Sequence, residues 1–295
     1  MHDGEVGHDV ELVERLVRGQ FPELAGRAVT RFSSTGTVNA IYRLGDDLCV
    51  RLPRVEEWSE GLGQELEWLP LLAPLLPLRV PEPVGRGEPA QGFPFVWAVY
   101  RWIEGRPYEP DHDDQVRAAH DLAEFVRALR AVDTVGGPPT GRRPLRQLEK
   151  VTRAAIEAAD DAIDIPAALD AWDRALEAPA WDGAPVWIHN DLLPPNLLVG
   201  EPDSGIAAVI DFGSVGVGDP AADVVPAWSV FGPAGRAAYR ATLAVDDATW
   251  ERARGYALHQ AAMIIPYYRV TNPGFVTMAV HTVGQVIADR HDSEG

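Results

Sequence analysis

A histidine, two aspartates and an asparagine stand at a spacing with chemical meaning: His189-x-Asp191-x-x-x-x-Asn196, then Ile210-Asp211-Phe212-Gly213. Phosphoryl transfer needs a carboxylate that orients the incoming hydroxyl and accepts its proton, and oxygen ligands that hold magnesium against the β- and γ-phosphates. An aspartate on a loop, an amide oxygen five residues on, and a second aspartate on the next hairpin supply both. Leu192-Leu193-Pro194-Pro195 between them stiffens the loop and keeps it partly dry, as preorganisation requires. A lone H-x-D would be an ordinary surface turn. The full pattern, with its flanking apolar strands, outweighs that reading. Other nucleotide and hydrolase chemistries lack their motifs: the chain has no Walker-A loop, no G-x-G-x-x-G, no G-x-S-x-G and no H-E-x-x-H.

These residues need elements to hold them. Short strands are expected at 186–188, 197–199 and 207–210, flanking the loop. Upstream, 27–33, 39–45 and 48–52 read as an antiparallel meander, with the Ser/Thr/Gly turn 33–37 and the turn at Asp46-Asp47 between strands. A helix follows over 55–72, then a proline- and glycine-rich stretch over 77–94 and a buried strand over 95–102. Helical periodicity marks 114–132, 145–159 and 167–178, and the remainder reads as helices over 219–230, 235–243, 248–265 and 275–289. A strand-rich first third followed by a helix-rich remainder predicts an α+β protein with two lobes and a cleft between them.

Composition narrows the partners. The chain of 295 residues carries 26 Lys and Arg against 44 Asp and Glu, a net charge of −18. Such a field repels phosphate backbones and acidic membranes and favours cationic ligands, so no nucleic-acid or membrane partner is expected, and no obligate protein partner is indicated. The acidic N-terminus lacks an apolar signal core and no apolar run is long enough to span a bilayer, which predicts a cytoplasmic protein. A single cysteine, Cys49, excludes an internal disulfide framework. Lys150 is the only lysine.

The segments Trp187-Ile188-His189-Asn190-Asp191-Leu192, Val209-Ile210-Asp211-Phe212-Gly213 and Gly218-Asp219-Pro220-Ala221-Ala222-Asp223 resemble those of the aminoglycoside phosphotransferase family, relatives of the protein kinases. The likeness extends through 39–54 and 65–83, and Asn190 stands where the family more commonly has glycine. The resemblance implies a two-lobed, protein-kinase-like fold: a small antiparallel-sheet lobe over 1–100 that binds nucleotide, a hinge over 101–105, and a larger, mainly helical lobe over 106–295 with the catalytic loop and acceptor site. It implies Asp191 as catalytic base, Asn196 and Asp211 as Mg2+ ligands, and ATP or GTP as phosphate donor. His189, Asp219 and Asp223 take supporting roles. Ser34, Thr35, Gly36 and Thr37 fall where such a fold covers the phosphates. The third strand should present a cation paired with a helix glutamate; Arg51 stands there in place of the usual lysine, with Glu65 as partner. Alternation puts Cys49 on Arg51's face, lining the adenine pocket. Tyr100, Arg101 and Ile103 belong to the hinge, where the backbone of Arg101 and Ile103 is expected to meet the purine edge.

The acceptor is read as a small molecule, by charge a cationic antibiotic such as an aminoglycoside, with Glu157, Asp160, Asp161, Asp164, Asp289, Asp292 and Glu294 as candidate contacts. Tyr267, Tyr268 and Trp228 would instead suit a macrolide. A metabolic small-molecule kinase and a non-catalytic nucleotide-binding regulator complete the alternatives.

Overall fold

The computed structural model describes residues 6–33, 39–200 and 205–291. Its first part is a five-stranded antiparallel sheet built from β1 (Val29–Phe32), β2 (Asn39–Leu44), β3 (Leu48–Pro53), β4 (Pro83–Gly87) and β5 (Trp97–Arg101), in the order β1-β2-β3-β5-β4. β3 is central and buried along its whole length, so its alternating side chains serve two different interiors. Val50 and Leu52 join Val99, Trp97 and Tyr42 in a core covered by helix α1 (Val10–Gln20). Cys49 and Arg51 point the other way, toward helix α2 (Glu56–Leu72) and the cleft.

Two elements depart from the sequence expectation. The acidic N-terminal segment contains α1, capped by Asp9, whose carboxylate accepts from the Leu12 N–H. The apolar set Leu12, Val13, Leu16 and Val17 was its signal, one stripe at helical spacing inside a charged sequence. Within 77–94, β4 forms at the sheet edge, where proline and glycine are tolerated. Gly87 is required there: a Cβ would sit 2.0 Å from the Trp97 ring, so only glycine lets the edge strand close over that indole.

The second part is helical and carries short hairpins. β6 (Arg106–Pro107), β8 (Leu197–Val199) and β9 (Ile206–Val209) form one small sheet; β7 (Val186–Ile188) pairs with β10 (Gly216–Gly218). Around them pack α3 (Gln115–Arg130), α4 (Leu145–Ala158), α5 (Ile165–Glu177), α6 (Pro226–Ser229), α7 (Pro233–Leu243), α8 (Asp247–Tyr268) and α9 (Pro273–His291). The helix expected over 219–230 is instead a 3-10 turn, Pro220–Val224, followed by the single turn α6, because Pro226 cannot continue the ladder. The protein thus has the expected two-lobed α+β architecture, and one large core runs from the sheet's inner face through the helical part.

The α4–α8 contact includes a titratable group. Nδ1 of His259 lies 2.8 Å from the Thr152 hydroxyl, which also donates to the Leu148 carbonyl. Burial, with Arg142 and Arg143 nearby, pushes the His259 imidazole down to about 4. The unfolded chain, with an ordinary histidine, takes up this proton at higher pH than the folded chain, so acid favours unfolding. We expect stability to fall by about 2–3 kcal/mol on this account between pH 7 and 4. In urea titrations across that range, His259→Gln should remove this component, leaving a flatter pH profile than the wild type.

Candidate active site

The turn 189–191 is held from beneath. Asp223 accepts hydrogen bonds from the backbone N–H of His189 (2.7 Å) and of Asn190 (2.8 Å). Its neighbour Asp219 caps the Pro220–Val224 turn through the Ala221 N–H, and it is gripped by the buried Arg252 at 2.8 and 3.1 Å. His189 is fully buried, edge-on to Phe212 with ring centroids 4.6 Å apart. Its Nδ1 accepts from the Asp191 N–H (3.3 Å), which leaves the proton on Nε2 to donate to the Ile210 carbonyl (3.2 Å). Burial lowers its pKa, and the two bonds match a neutral ring. The histidine therefore ties the 189–191 turn to the Asp-Phe-Gly segment without lining the cavity.

Asp191 and Asn196 meet directly. The Asn196 amide donates to the Asp191 backbone carbonyl and to its Oδ2, both at 2.9 Å. Gln260 of α8 donates to Oδ1 at 3.4 Å. Burial, reinforced by the nearby Asp211 charge, raises the Asp191 carboxyl to about 7. Asp211 adopts a left-handed backbone (φ 67°), an unusual conformation for a non-glycine residue. The Asn196 carbonyl accepts from the Ile210 N–H (2.9 Å), which ties Asn196 to the residue before Asp211.

The third anchor lies between sheet and helix. Arg51 Nη1 donates to Glu65 Oε1 at 2.6 Å, and Arg51 Nη2 lies 3.6 Å from Asp211 Oδ1. The other Glu65 oxygen accepts from the Phe212 N–H at 2.9 Å. Glu65 is completely buried and Arg51 nearly so, so this is no surface ion pair. Burial raises the Glu65 pKa while Arg51 opposes the rise. One carboxylate thereby links β3, α2 and the Asp-Phe-Gly turn.

Arg51, Asn196 and Asp211 line a cavity of about 350 Å3 whose lining is mostly apolar, while Glu65 and Asp191 stand behind them, bonded to Arg51 and Asn196. Cys49, Arg51, Tyr100, Arg101, Ile103, Asn196 and Asp211 all line it, so the expected nucleotide residues among those described are brought together. Burial pushes the Cys49 thiol up to about 11, so it meets the cavity as an uncharged apolar surface. The hinge expectation narrows. The Arg101 N–H donates to the Glu82 carbonyl (3.0 Å) and the Trp102 N–H to the Asp47 carbonyl (2.8 Å). The Arg101 N–H is therefore engaged at the sheet edge, so any pairing of this residue with a base falls to its carbonyl. Tyr100, read as a hinge residue, is a buried strand residue whose ring faces the Arg51 guanidinium at 5.1 Å. Ser34, Thr35, Gly36 and Thr37 lie outside the described residues.

Sequence reading gave no role to several contributors. Phe32 and Trp102 pack edge to face at 5.0 Å over the cavity mouth, with the Arg43 guanidinium 4.2 Å above the indole. Asn39, buried at the start of β2, also lines the cavity. Arg142, from the loop before α4, reaches the backbone of Asn190. Of the acceptor candidates, Trp228 is fully buried and donates to Asp289, which also pairs with Arg236 and Arg254; both serve the core. Asp164 caps α5, and Asp160 lies 3.8 Å from Arg269. Asp292 and Glu294 lie outside the described residues.

A two-lobed fold with this cleft and this loop defines a kinase-like phosphotransferase. The sequence profile of the phosphotransferase enzyme family matches residues 29–256, and the chain belongs to that family. Solved structures share the fold. An aminoglycoside 2'-phosphotransferase-IIIa, solved as its GDP complex, aligns with a TM-score of 0.73 at 19% identity, over 96% of this chain and 100% of that one. A macrolide 2'-phosphotransferase from Brachybacterium faecium aligns with a TM-score of 0.62 at 22% identity, over 93% of this chain and 97% of that one. The uncharacterized protein YcbJ of Bacillus subtilis (strain 168) is 26% identical over 154 residues, 51% of this chain. The chain spans about half the length of that curated relative, 48%. Among the described residues, no helix is long and apolar enough to cross a membrane.

The Arg51–Glu65 bridge yields a direct prediction. Glu65→Ala leaves a buried guanidinium and the Phe212 N–H without their shared acceptor, and should cost about 3–5 kcal/mol. Denaturant unfolding of the two proteins at neutral pH measures the difference.

Proposed function

We propose that this enzyme transfers the γ-phosphoryl group of ATP or GTP to a hydroxyl of a small molecule, with Mg2+ as cofactor and Asp191 as catalytic base. The observation carrying this reading is the convergence of Asp191, Asn196 and Asp211 beside one cleft, next to the Arg51–Glu65 pair.

The residues present fit a magnesium ion. The Asn196 side-chain nitrogen donates to Asp191, which leaves its side-chain Oδ1 as the ligand atom, and Asp211 contributes a carboxylate at the same cavity wall. Hard oxygen donors of this kind, completed by phosphate oxygens, suit magnesium. Bound there, the ion would neutralise charge on the β- and γ-phosphates. The chain's own residues do the rest. Asp191 orients the acceptor hydroxyl and takes its proton; its raised pKa makes it a competent base near neutrality. Arg51, fixed by Glu65, supplies the cation for the α- and β-phosphates, and Ser34, Thr35, Gly36 and Thr37 are proposed to cover them. Cys49, Tyr100 and Ile103 bound the base pocket, and the backbone of Ile103 is proposed to pair with the base. The partition into a nucleotide lobe (1–100), hinge (101–105) and acceptor lobe (106–295) belongs to the same reading. So does a cytoplasmic location, where the nucleotide is at hand.

For the acceptor we propose a cationic antibiotic of the aminoglycoside kind, supported by the net charge of −18 and by the fold shared with aminoglycoside phosphotransferases. A second reading, an apolar macrolide-like acceptor, is favoured by a specific feature. Met263 (41% exposed) and Tyr267 (64% exposed) continue the α8 face that presents Gln260 to Asp191. Turnover of purified enzyme with MgATP and MgGTP against aminoglycosides, macrolides and hydroxylated metabolites decides between them; phosphorylation of a metabolite alone would overturn both antibiotic readings.

Asp191→Ala should abolish transfer while nucleotide affinity stays near wild type, because its part is played at the acceptor hydroxyl. Asp211→Ala should weaken magnesium-dependent nucleotide binding. Isothermal titration with and without Mg2+ separates the two, and an Asp211→Ala variant with unchanged magnesium dependence would remove that residue as a ligand.

A further inference from the structure

Arg142 lies between α3 and α4, 49 residues before Asp191 in the chain. Its guanidinium nonetheless grips the residue before the base. Nε donates to Oδ1 of Asn190, and Nη2 donates to the Asn190 carbonyl at 3.1 Å. The other face of the guanidinium lies 5.1 Å from the Tyr256 ring on α8. The buried arginines Arg51, Arg236, Arg252 and Arg254 each meet a carboxylate. Arg142 meets an amide, a peptide carbonyl and a ring, a weaker compensation for taking a cation out of water. Such an arrangement calls for a use other than stability.

The use lies in what is held. Asn190 adopts φ 70°, a left-handed conformation that asparagine tolerates better than most residues but that glycine adopts without strain. All three of its polar groups are fixed: the N–H by Asp223, the carbonyl and side chain by Arg142. The carbonyl belongs to the peptide plane that enters Asp191, and the other end of that plane, the Asp191 N–H, is held by His189. Rotation of this plane would swing the Asp191 side chain. We propose that Arg142 is a positioning residue for phosphoryl transfer: by clamping the Asn190–Asp191 peptide and the Asn190 side chain, it holds the left-handed turn that aims Asp191 at the acceptor hydroxyl. The planar fork is essential, since two donors at fixed separation reach two acceptors of one residue. The proposal rests on the reading of Asp191 as the base.

Steady-state transfer from MgATP and MgGTP to the acceptor found in the turnover panel, and to water in its absence, tests the clamp. The set is Arg142→Met, Arg142→Lys, Asn190→Gly, Arg142→Met with Asn190→Gly, and Asp191→Asn. Arg142→Met should lower kcat by about 10–100-fold, the scale of a misplacement near 1 Å. Nucleotide Kd and acceptor KM should stay within about threefold of wild type, the signature of a contribution made only in the transition state. Arg142→Lys, lacking the fork, should fail to restore kcat, and the double variant should fall no further than Arg142→Met alone, because the pair acts as one unit. Asn190→Gly removes the side-chain handle without straining the turn, and should lower kcat by several-fold even if Arg142→Met fails to fold. Wild-type kcat in folded Arg142→Met or in Asn190→Gly, or a fully additive double variant, would overturn the clamp, provided Asp191→Asn is inactive. Transfer surviving in Asp191→Asn would instead overturn the assignment of the base, and the clamp with it.

Discussion

The site depends on one buried carboxylate. Glu65 accepts from Arg51 with one oxygen and from the Phe212 N–H with the other, and Arg51 in turn reaches Asp211. Neither charge would be stable alone in that interior; removing a carboxylate and a guanidinium from water is offset only by close, well-satisfied geometry. The pair adds little net stability as a pair, yet it makes the relative positions of β3, α2 and the Asp-Phe-Gly turn mutually conditional. The close approach of α2 to that turn follows: a Cβ on Gly61 would stand 3.0 Å from the Gly213 carbonyl oxygen, and Gln64 donates to the Val215 carbonyl. Arginine suits this place because one planar fork spans two carboxylates, which a lysine ammonium would meet as a point charge.

A second frame supports the catalytic loop from the helical side. Asp223 receives the two amides of the turn, His189 bridges to Ile210, and Arg142 closes the third side. Two non-glycine residues in left-handed conformation, Asn190 and Asp211, stand next to or at the chemistry. Strained backbone persists only where surrounding contacts over-determine it, and Asn190 is held at its N–H, its carbonyl and its side chain. The cleft thus lies between two rigid assemblies, one centred on Glu65 and one on Asp223. The Asn196 carbonyl bonded to the Ile210 N–H joins them.

The cleft's two ends differ in character. The cavity beneath the sheet is mostly apolar, with Cys49 uncharged and the Phe32–Trp102 pair in its lining. Beside Asp191, the α8 face changes from polar at His259 and Gln260 to exposed and apolar at Met263 and Tyr267. The overall acidity of the chain therefore describes its average surface, while Arg142 and Arg143 bear on the α8 face at His259. Fields from distant exposed charges are screened within about 10 Å at ordinary salt, so the local wall outweighs the average charge for any molecule held there.

The sequence by itself determined which polar residues gather here: His189, Asp191, Asn196 and Asp211 are legible because their spacing is local, set within the run from β7 to β10. The Arg51–Glu65 partnership was legible too, since strand alternation and a single candidate helix limit the choice. The core strands followed from short apolar runs bounded by turn residues, whereas α1 was obscured by its acidic surroundings and β4 by its prolines and glycines. Tertiary structure alone decided the rest. That the Arg101 amide is engaged by Glu82, that Trp228 and Asp289 serve the core, and that Arg142 grips Asn190 are contacts between segments 19 to 61 residues apart. No periodicity encodes such pairs. They arise only when packing brings distant polar groups into a dry interior where each must find a partner.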